Sequence, residues 1–224
     1  VLFGGQEGAR RVRLSSRVRT WRGVAVNSRR AYLKFERPSY SVVLGRKGTT
    51  WGRSRWGRLL IAGHGPTLDQ LSARYSVGPL RIQALHALLE YEPPEGMPAP
   101  EEENIWLAAH RVVLAGSSGS VGLAEAVVYS SDTADPAYLN PLLPYYLSQH
   151  NERGNDNVLW LLDFDYRFAH GVEVWGEMVV DDLQYERTTG APDKYGVTVG
   201  GAWYGSAINR DLELTEEHTK VRKW

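Results

Sequence analysis

Val158-Leu159-Trp160-Leu161-Leu162-Asp163-Phe164-Asp165-Tyr166-Arg167 and, shortly after, Val172-Glu173-Val174-Trp175-Gly176-Glu177-Met178-Val179-Val180-Asp181 decide the fold class. In the first stretch Val158, Trp160, Leu162, Phe164 and Tyr166 share one parity, while Asp163, Asp165 and Arg167 share the other. In the second, Val172, Val174, Met178 and Val180 alternate with Glu173, Glu177 and Asp181. Successive side chains of a strand point to opposite faces, so this period of two makes one face apolar and the other charged. Ala169-His170-Gly171 between them reads as a tight hairpin turn. Two strands of about ten residues joined this way match the length that crosses a bilayer at a tilt.

The same rhythm extends in both directions. It predicts strands over Arg11 to Trp21, Ala31 to Glu36, Tyr40 to Gly45, Leu71 to Val77, Leu80 to Ala84, Ile105 to Leu114, Val121 to Tyr129 and Tyr195 to Trp203. With the central pair this makes about ten strands and no long helix. After Ala84 the pattern turns apolar on both parities. Short breaks at 37–39, 78–79, 116–119 and 169–171 contrast with long ones at 46–67, 92–104, 130–157 and 183–194. Short turns at one end and long loops at the other are a habit of outer-membrane barrels. Pro93 to Glu103 reads as a solvated acidic loop, and 136–153 as a short helix or a plug-like excursion. The expectation is an all-β chain, an antiparallel transmembrane β-barrel supplying about ten strands of a larger barrel, with residues 1–224 as one partial domain.

Composition agrees with strands rather than helices. Hydrophobic residues make up 42% of the 224 and mean hydropathy is negative. The apolar run Val158 to Leu162 is far below the roughly 18 residues of a helical span. A barrel escapes that test because only alternate residues meet lipid. The 8 Trp and 12 Tyr suit interfacial aromatic girdles, though a soluble β-protein also uses aromatics in its core. Lys+Arg and Asp+Glu both number 26, so no basic excess points to nucleic acid. There is no Cys, hence no disulfide framework, thiolate metal site or cysteine nucleophile. Val1 is not an initiator methionine and no apolar leader follows it, so the expectation is a fragment or a processed chain.

Two constellations can carry chemistry. Arg46, Trp51, Arg53, Arg55, Trp56 and Arg58 interleave guanidinium groups with indoles, a combination that could grip acidic sugars by forked hydrogen bonds and stacking, or equally the phosphates of lipid or nucleic acid. Glu125, Asp163, Asp165, Glu177 and Asp181 are the carboxylates that stand out, with Asp182 next to the last of them, and in a barrel register Asp163, Asp165, Glu177 and Asp181 share the face opposite the apolar set. A hydrolytic carboxylate pair is one reading of them; lumen charges paired with arginine or water are the other. The arginines have the same second reading, packing inward against those carboxylates. His64, in Gly63-His64-Gly65, lacks ligand spacing, and Gly116-Ser117-Ser118-Gly119-Ser120 is not a nucleophile elbow. No metal, cofactor or catalytic residue is expected.

The pieces, in order, resemble the capsule-assembly Wzi family of bacterial outer-membrane proteins. The likeness is carried by Val42-Val43-Leu44-Gly45-Arg46, Trp51-Gly52-Arg53, Gly57-Arg58-Leu59-Leu60-Ile61, Gly65-Pro66 and Leu68-Asp69-Gln70-Leu71. It continues through Leu123-Ala124-Glu125-Ala126-Val127-Val128-Tyr129, Tyr138-Leu139-Asn140-Pro141-Leu142, Asp156-Asn157-Val158-Leu159 with Asp163, and Trp175-Gly176-Glu177 with Asp181-Asp182. The resemblance implies a closed barrel of about 18 strands, of which this chain supplies about half. It implies a bacterial outer-membrane protein that is not an enzyme and that holds capsular or other surface polysaccharide, with outer-membrane lipid as its other partner. The eleven residues of the two constellations become candidate polysaccharide contacts. A porin-like solute channel and a soluble β-rich carbohydrate-active enzyme are the alternatives.

Overall fold

The computed structural model describes residues 30–62, 67–89, 104–147, 156–181, 194–207 and 210–222. They form β1 (Ala31–Glu36), β2 (Tyr40–Lys47), β3 (Leu68–Val77), β4 (Leu80–Leu89), β5 (Asn104–Ala115), β6 (Gly119–Ser131), α1 (Pro136–Leu139), β7 (Asn157–Arg167), β8 (Val172–Asp181), β9 (Lys194–Ala207) and β10 (Arg210–Arg222). All ten strands join one antiparallel sheet in sequence order. Among the described residues β1 and β10 do not pair with each other, so the sheet is open at both edges.

The connections alternate strictly. β1 to β2, β3 to β4, β5 to β6, β7 to β8 and β9 to β10 are joined by two to four residues, the intervening connections by 12 to 25. An up-and-down sheet therefore has all its short turns at one end. A row of paired residues runs Tyr40, Tyr75, Ile82, Val112, Leu123, Leu162, Met178, Val197, Lys220. Tyr40 is the first residue of β2 after its short turn, whereas Lys220 lies ten residues along β10 from Arg210. A climb of ten residues at about 3.3 Å, over eight strand gaps of about 4.8 Å, corresponds to strands inclined by about 40° if the short turns share one rim. Barrel closure demands a tilt of about that size.

The loop after β2 crosses the sheet on one side. Thr49 hydrogen-bonds Gln70 on β3, and the Gly57 amide donates to Glu217 on β10. This short segment, turned at Gly52 where φ is +105°, ties β3 to β10 through side chains on the same side of the sheet, which defines an inner face.

The two faces reverse the order found in a soluble protein. The inner face carries Gln70, Arg111, Ser120, Asp163, Glu177 and Thr198, all buried, and the loop after β2 covers its middle. Trp51 and Ile61 form a bridge within that loop and pack on Leu85, Ala87, Ala109, Ala124, Ala126, Leu161 and Val179. The outer face is apolar and bare: Leu33 (76% exposed), Leu44, Leu71, Tyr75, Leu114 (59%), Leu123, Leu162, Phe164, Val199 and Leu214 all project from it. An uncovered apolar surface crossing ten strands far exceeds the few hundred Å² of ordinary monomer patches.

Two places on the outer face depart from this. The connection after β6 folds outward, and α1 with a helical turn at 145–147 lies on the wall. Tyr138 and Tyr145 there pack with Ala108, Val127, Tyr129 and Val158. The segment expected as a short helix or plug thus holds the helix, but it covers the outside. On β10, outward Leu212 and Leu214 are followed at alternate positions by Glu216, His218, Lys220 and Arg222.

Nine of the expected strands are present, and β4 runs beyond Ala84 to Leu89. Its double apolarity has a cause, because Leu85 and Ala87 face the inner loop while His86 stacks with Trp106 on the outer side. The strand at Arg11 to Trp21, the Gly63-His64-Gly65-Pro66 segment, the loop Pro93 to Glu103 and Asp182 lie outside the described residues.

Neighbours on β7 should respond oppositely to truncation. Leu161→Ala, wholly buried against the inner loop, is expected to cost about 2–5 kcal/mol; outward Leu162→Ala should cost about 1 kcal/mol or less. Urea unfolding of the detergent-solubilised protein measures both, and equal costs would contradict the facing described.

Candidate functional site

The loop 48–62 is held on the inner face by carboxylates that meet peptide N–H groups. Glu217 accepts from the backbone of Arg55 at 2.8 Å, Trp56 at 3.2 Å and Gly57 at 2.7 Å. It also accepts from Ser54 Oγ at 2.7 Å and from Trp175 Nε1 at 2.8 Å. Glu177 accepts from the backbone of Ser54 and, at 3.0 Å, of Leu59. A concave run of amides is an anion receptor; here the loop supplies the amides and the wall supplies the anions. Gly52 is required at its place. A Cβ there would meet the Glu177 carboxylate, and the positive φ disfavours any other residue.

Arginines complete the attachment. Arg53 Nε lies 2.8 Å from Asp165 and 3.7 Å from Asp163, and Arg53 also donates to Ser120. Asp163, entirely buried, is paired as well with Arg111 from β5. Arg55 binds Glu173 at 3.0 Å, Glu213 and the Tyr204 hydroxyl. Its guanidinium stacks 4.5 Å above the Trp175 ring centroid, the flat, weakly hydrated contact at which Arg excels. That indole packs over Gly200, where a Cβ would enter the ring.

The structure brings together Arg53, Arg55, Asp163, Asp165 and Glu177, with Trp51 buried in the same loop. Trp56 is 61% exposed, and Arg58 is half-buried in the loop. Asp181 is on the inner face near the long-loop end, opposite Lys194. Two candidates do not join them. Arg46 points outward and pairs with Asp69, and Glu125 points outward under the helical turn at 145–147. Glu125 accepts the amides of Tyr145 and Tyr146 at 2.8 Å each, and His110 Nε2 lies 3.2 Å from it. Sequence reasoning missed Arg111, Glu213 and Glu217. A lone Arg within the apolar β5 was a usable signal for Arg111; β10 gave little, since only Leu212 and Leu214 mark its outward parity before charge takes over at Glu216.

Most polar atoms of this cluster are engaged, although Asp163 Oδ2 is buried without a hydrogen-bond partner among the described residues. Asp163 and Glu177 face each other across β7 and β8, but the first is held by two arginines and the second by loop amides. A recess of about 330 Å³ opens at the short-turn end between Arg167, Phe168, Glu173 and Tyr204. Comparison with family models, with curated proteins and with solved structures returned no match to the chain, so the Wzi likeness rests on its motifs alone.

Arg53, Arg55 and Arg58 are tryptic sites within the loop. Glu217→Ala and Glu177→Ala are each expected to raise the rate of tryptic cleavage between residues 53 and 58 by tenfold or more, with the strands still protected. Unchanged cleavage in both variants would mean these carboxylates do not hold the loop.

Proposed function

We propose that this chain is part of the wall of a bacterial outer-membrane β-barrel that binds or anchors capsular or other surface polysaccharide. One observation carries the membrane half of this reading: the uncovered face of the sheet is the apolar one, while the covered face is charged. A solvent less polar than water stabilises that arrangement. The tilt of about 40°, within the range for such barrels, and the segregation of short turns from long connections add support. The exposed Leu142, Leu143, Tyr146 and Leu147 extend the apolar surface beside β5 and β6.

The polysaccharide half rests on the motif likeness to the Wzi family and on the inner architecture. A loop fastened across the inner face from β3 to β10 favours a plugged anchor over the porin-like alternative, because it occupies the path a solute would take. A soluble carbohydrate-active enzyme gains little support, because Glu177 is held by loop amides and Asp163 and Asp165 are paired with arginines.

The sequence has no Cys, so single cysteines give unambiguous labels. A bimane probe at Leu162→Cys or Leu123→Cys should be strongly quenched by brominated acyl chains after reconstitution, and one at inward Ser72→Cys should not. Equal, weak quenching at all three removes the membrane reading. For the second half, deletion of the gene is expected to release capsule into the medium, and unchanged retention on the cells counts against the anchoring role. In planar bilayers the intact protein should conduct little; steady large conductance would favour the channel.

A further inference from the structure

The inner face divides by charge. Along β7, β8 and β10 it presents Asp163, Asp165, Glu173, Glu177, Glu213 and Glu217, answered by Arg53, Arg55 and Arg111. Along β1 to β4 the sign reverses. The inward positions there carry Lys34, Lys47, Arg74 and Arg81, and Glu36 is their one acid among the described residues. Glu36 is shared between Lys34 and Arg74, the latter at 3.2 Å. Lys47 has no carboxylate partner among the described residues; its ammonium lies 5.6 Å from the Tyr32 ring centroid.

Between these strands and the inner loop is a recess of about 210 Å³ walled by Lys34, Lys47, Thr50, Ser72, Arg74 and Gln83. Three cations against one carboxylate leave positive charge surplus at its lining. Ser72, Thr50 and Gln83 add neutral hydrogen-bonding groups, and the half-exposed ring of Tyr32 stands beside Lys47 as a flat apolar surface. A charge-assisted contact is about twice as strong as a neutral one, and an aromatic plane suits the apolar face of a sugar ring. The sequence before β1 has the same sign: eight of the first thirty residues are Arg, with Glu7 the only acid.

We propose that this recess binds the carboxylate-bearing sugars of an acidic polysaccharide, which deepens the anchoring role proposed above and rests on it. The arginines of the inner loop are engaged with the wall and Lys34 and Arg74 share Glu36, so Lys47 is the leading cation for the polymer, with the half-exposed Arg74 beside it in the same recess. Each contact is weak, and a repeating anionic chain is held by many such contacts at once.

The test is binding of the detergent-solubilised protein to immobilised polygalacturonate, its methyl ester and neutral dextran. Methyl esterification removes the charge and keeps the hydroxyls. Polygalacturonate is expected to bind at least tenfold more tightly than the other two and to weaken as salt is raised. The double variant Lys47→Gln, Arg74→Gln should lose that preference while its thermal unfolding matches the parent; Lys47→Gln alone serves if the double variant is destabilised. If all three polymers bind alike, or the variants keep the preference, the recess assignment is overturned and polysaccharide anchoring stands. If none binds, the recess is overturned too, and capsule retention in the deletion strain decides the wider reading separately.

Discussion

Glu177 and Glu217 face the middle of the sheet without a cation of their own, and the architecture depends on how they are satisfied. A carboxylate removed from water needs hydrogen bonds from several donors, or its burial costs several kcal/mol. Here the donors are successive backbone amides of a loop that has left the strands and crossed the inner face. The loop has the complementary need, since its own amides are removed from water without partners in a sheet. Each side solves the other's desolvation. The reciprocity explains why Gly52 and Gly57 flank the contact: side chains at either place would stand where a wall oxygen lies.

From that attachment the rest of the inner packing follows. Once fixed, the loop can press Trp51 and Ile61 onto small residues of β4, β5 and β6, where Ala87, Ala109, Ala124 and Ala126 leave room. Larger side chains would fill the same space and lift the loop from its carboxylates. Arg53 and Arg55 then settle against acids on either side, so the acids of the inner face are met by arginines or loop amides, whereas Lys47 on the basic side has no carboxylate partner among the described residues. The asymmetry that marks the recess near β1 is therefore a by-product of where the loop docks.

Most of the fold was legible because a strand with lipid or core on one side and charge on the other writes its facing into alternate residues. β7 and β8 are the clearest cases, and every inward and outward assignment made for them holds. β10 was not read as a strand because its outward parity turns from Leu212 and Leu214 to charge at Glu216, so the period of two is broken halfway. The inward constellation was partly legible: Asp163, Asp165 and Glu177 followed from parity, but their partners did not. Arg46 and Arg53 look equivalent in sequence, yet one ends a strand on the outer face and the other lies in a loop folded inward. Parity cannot carry across a loop whose path is set by long-range contacts. Glu125 failed for a related reason, since it sits at an outward position that only a covering segment makes tolerable.

That last point bears on β10. A charged side chain in the lipid-facing band of a barrel costs about 2–4 kcal/mol near the midplane. On β5 and β6 the outward pair His110 and Glu125 escapes that cost because Tyr145 and its neighbours cover it and donate to it. On β10 the outward Glu216 and His218 bond each other and remain about 80% exposed, with Lys220 and Arg222 beyond them. Three or four such residues in hydrocarbon would cost more than Leu212 and Leu214 can return. If the apolar face meets lipid from β1 to β9, the upper half of β10 must meet water or protein instead.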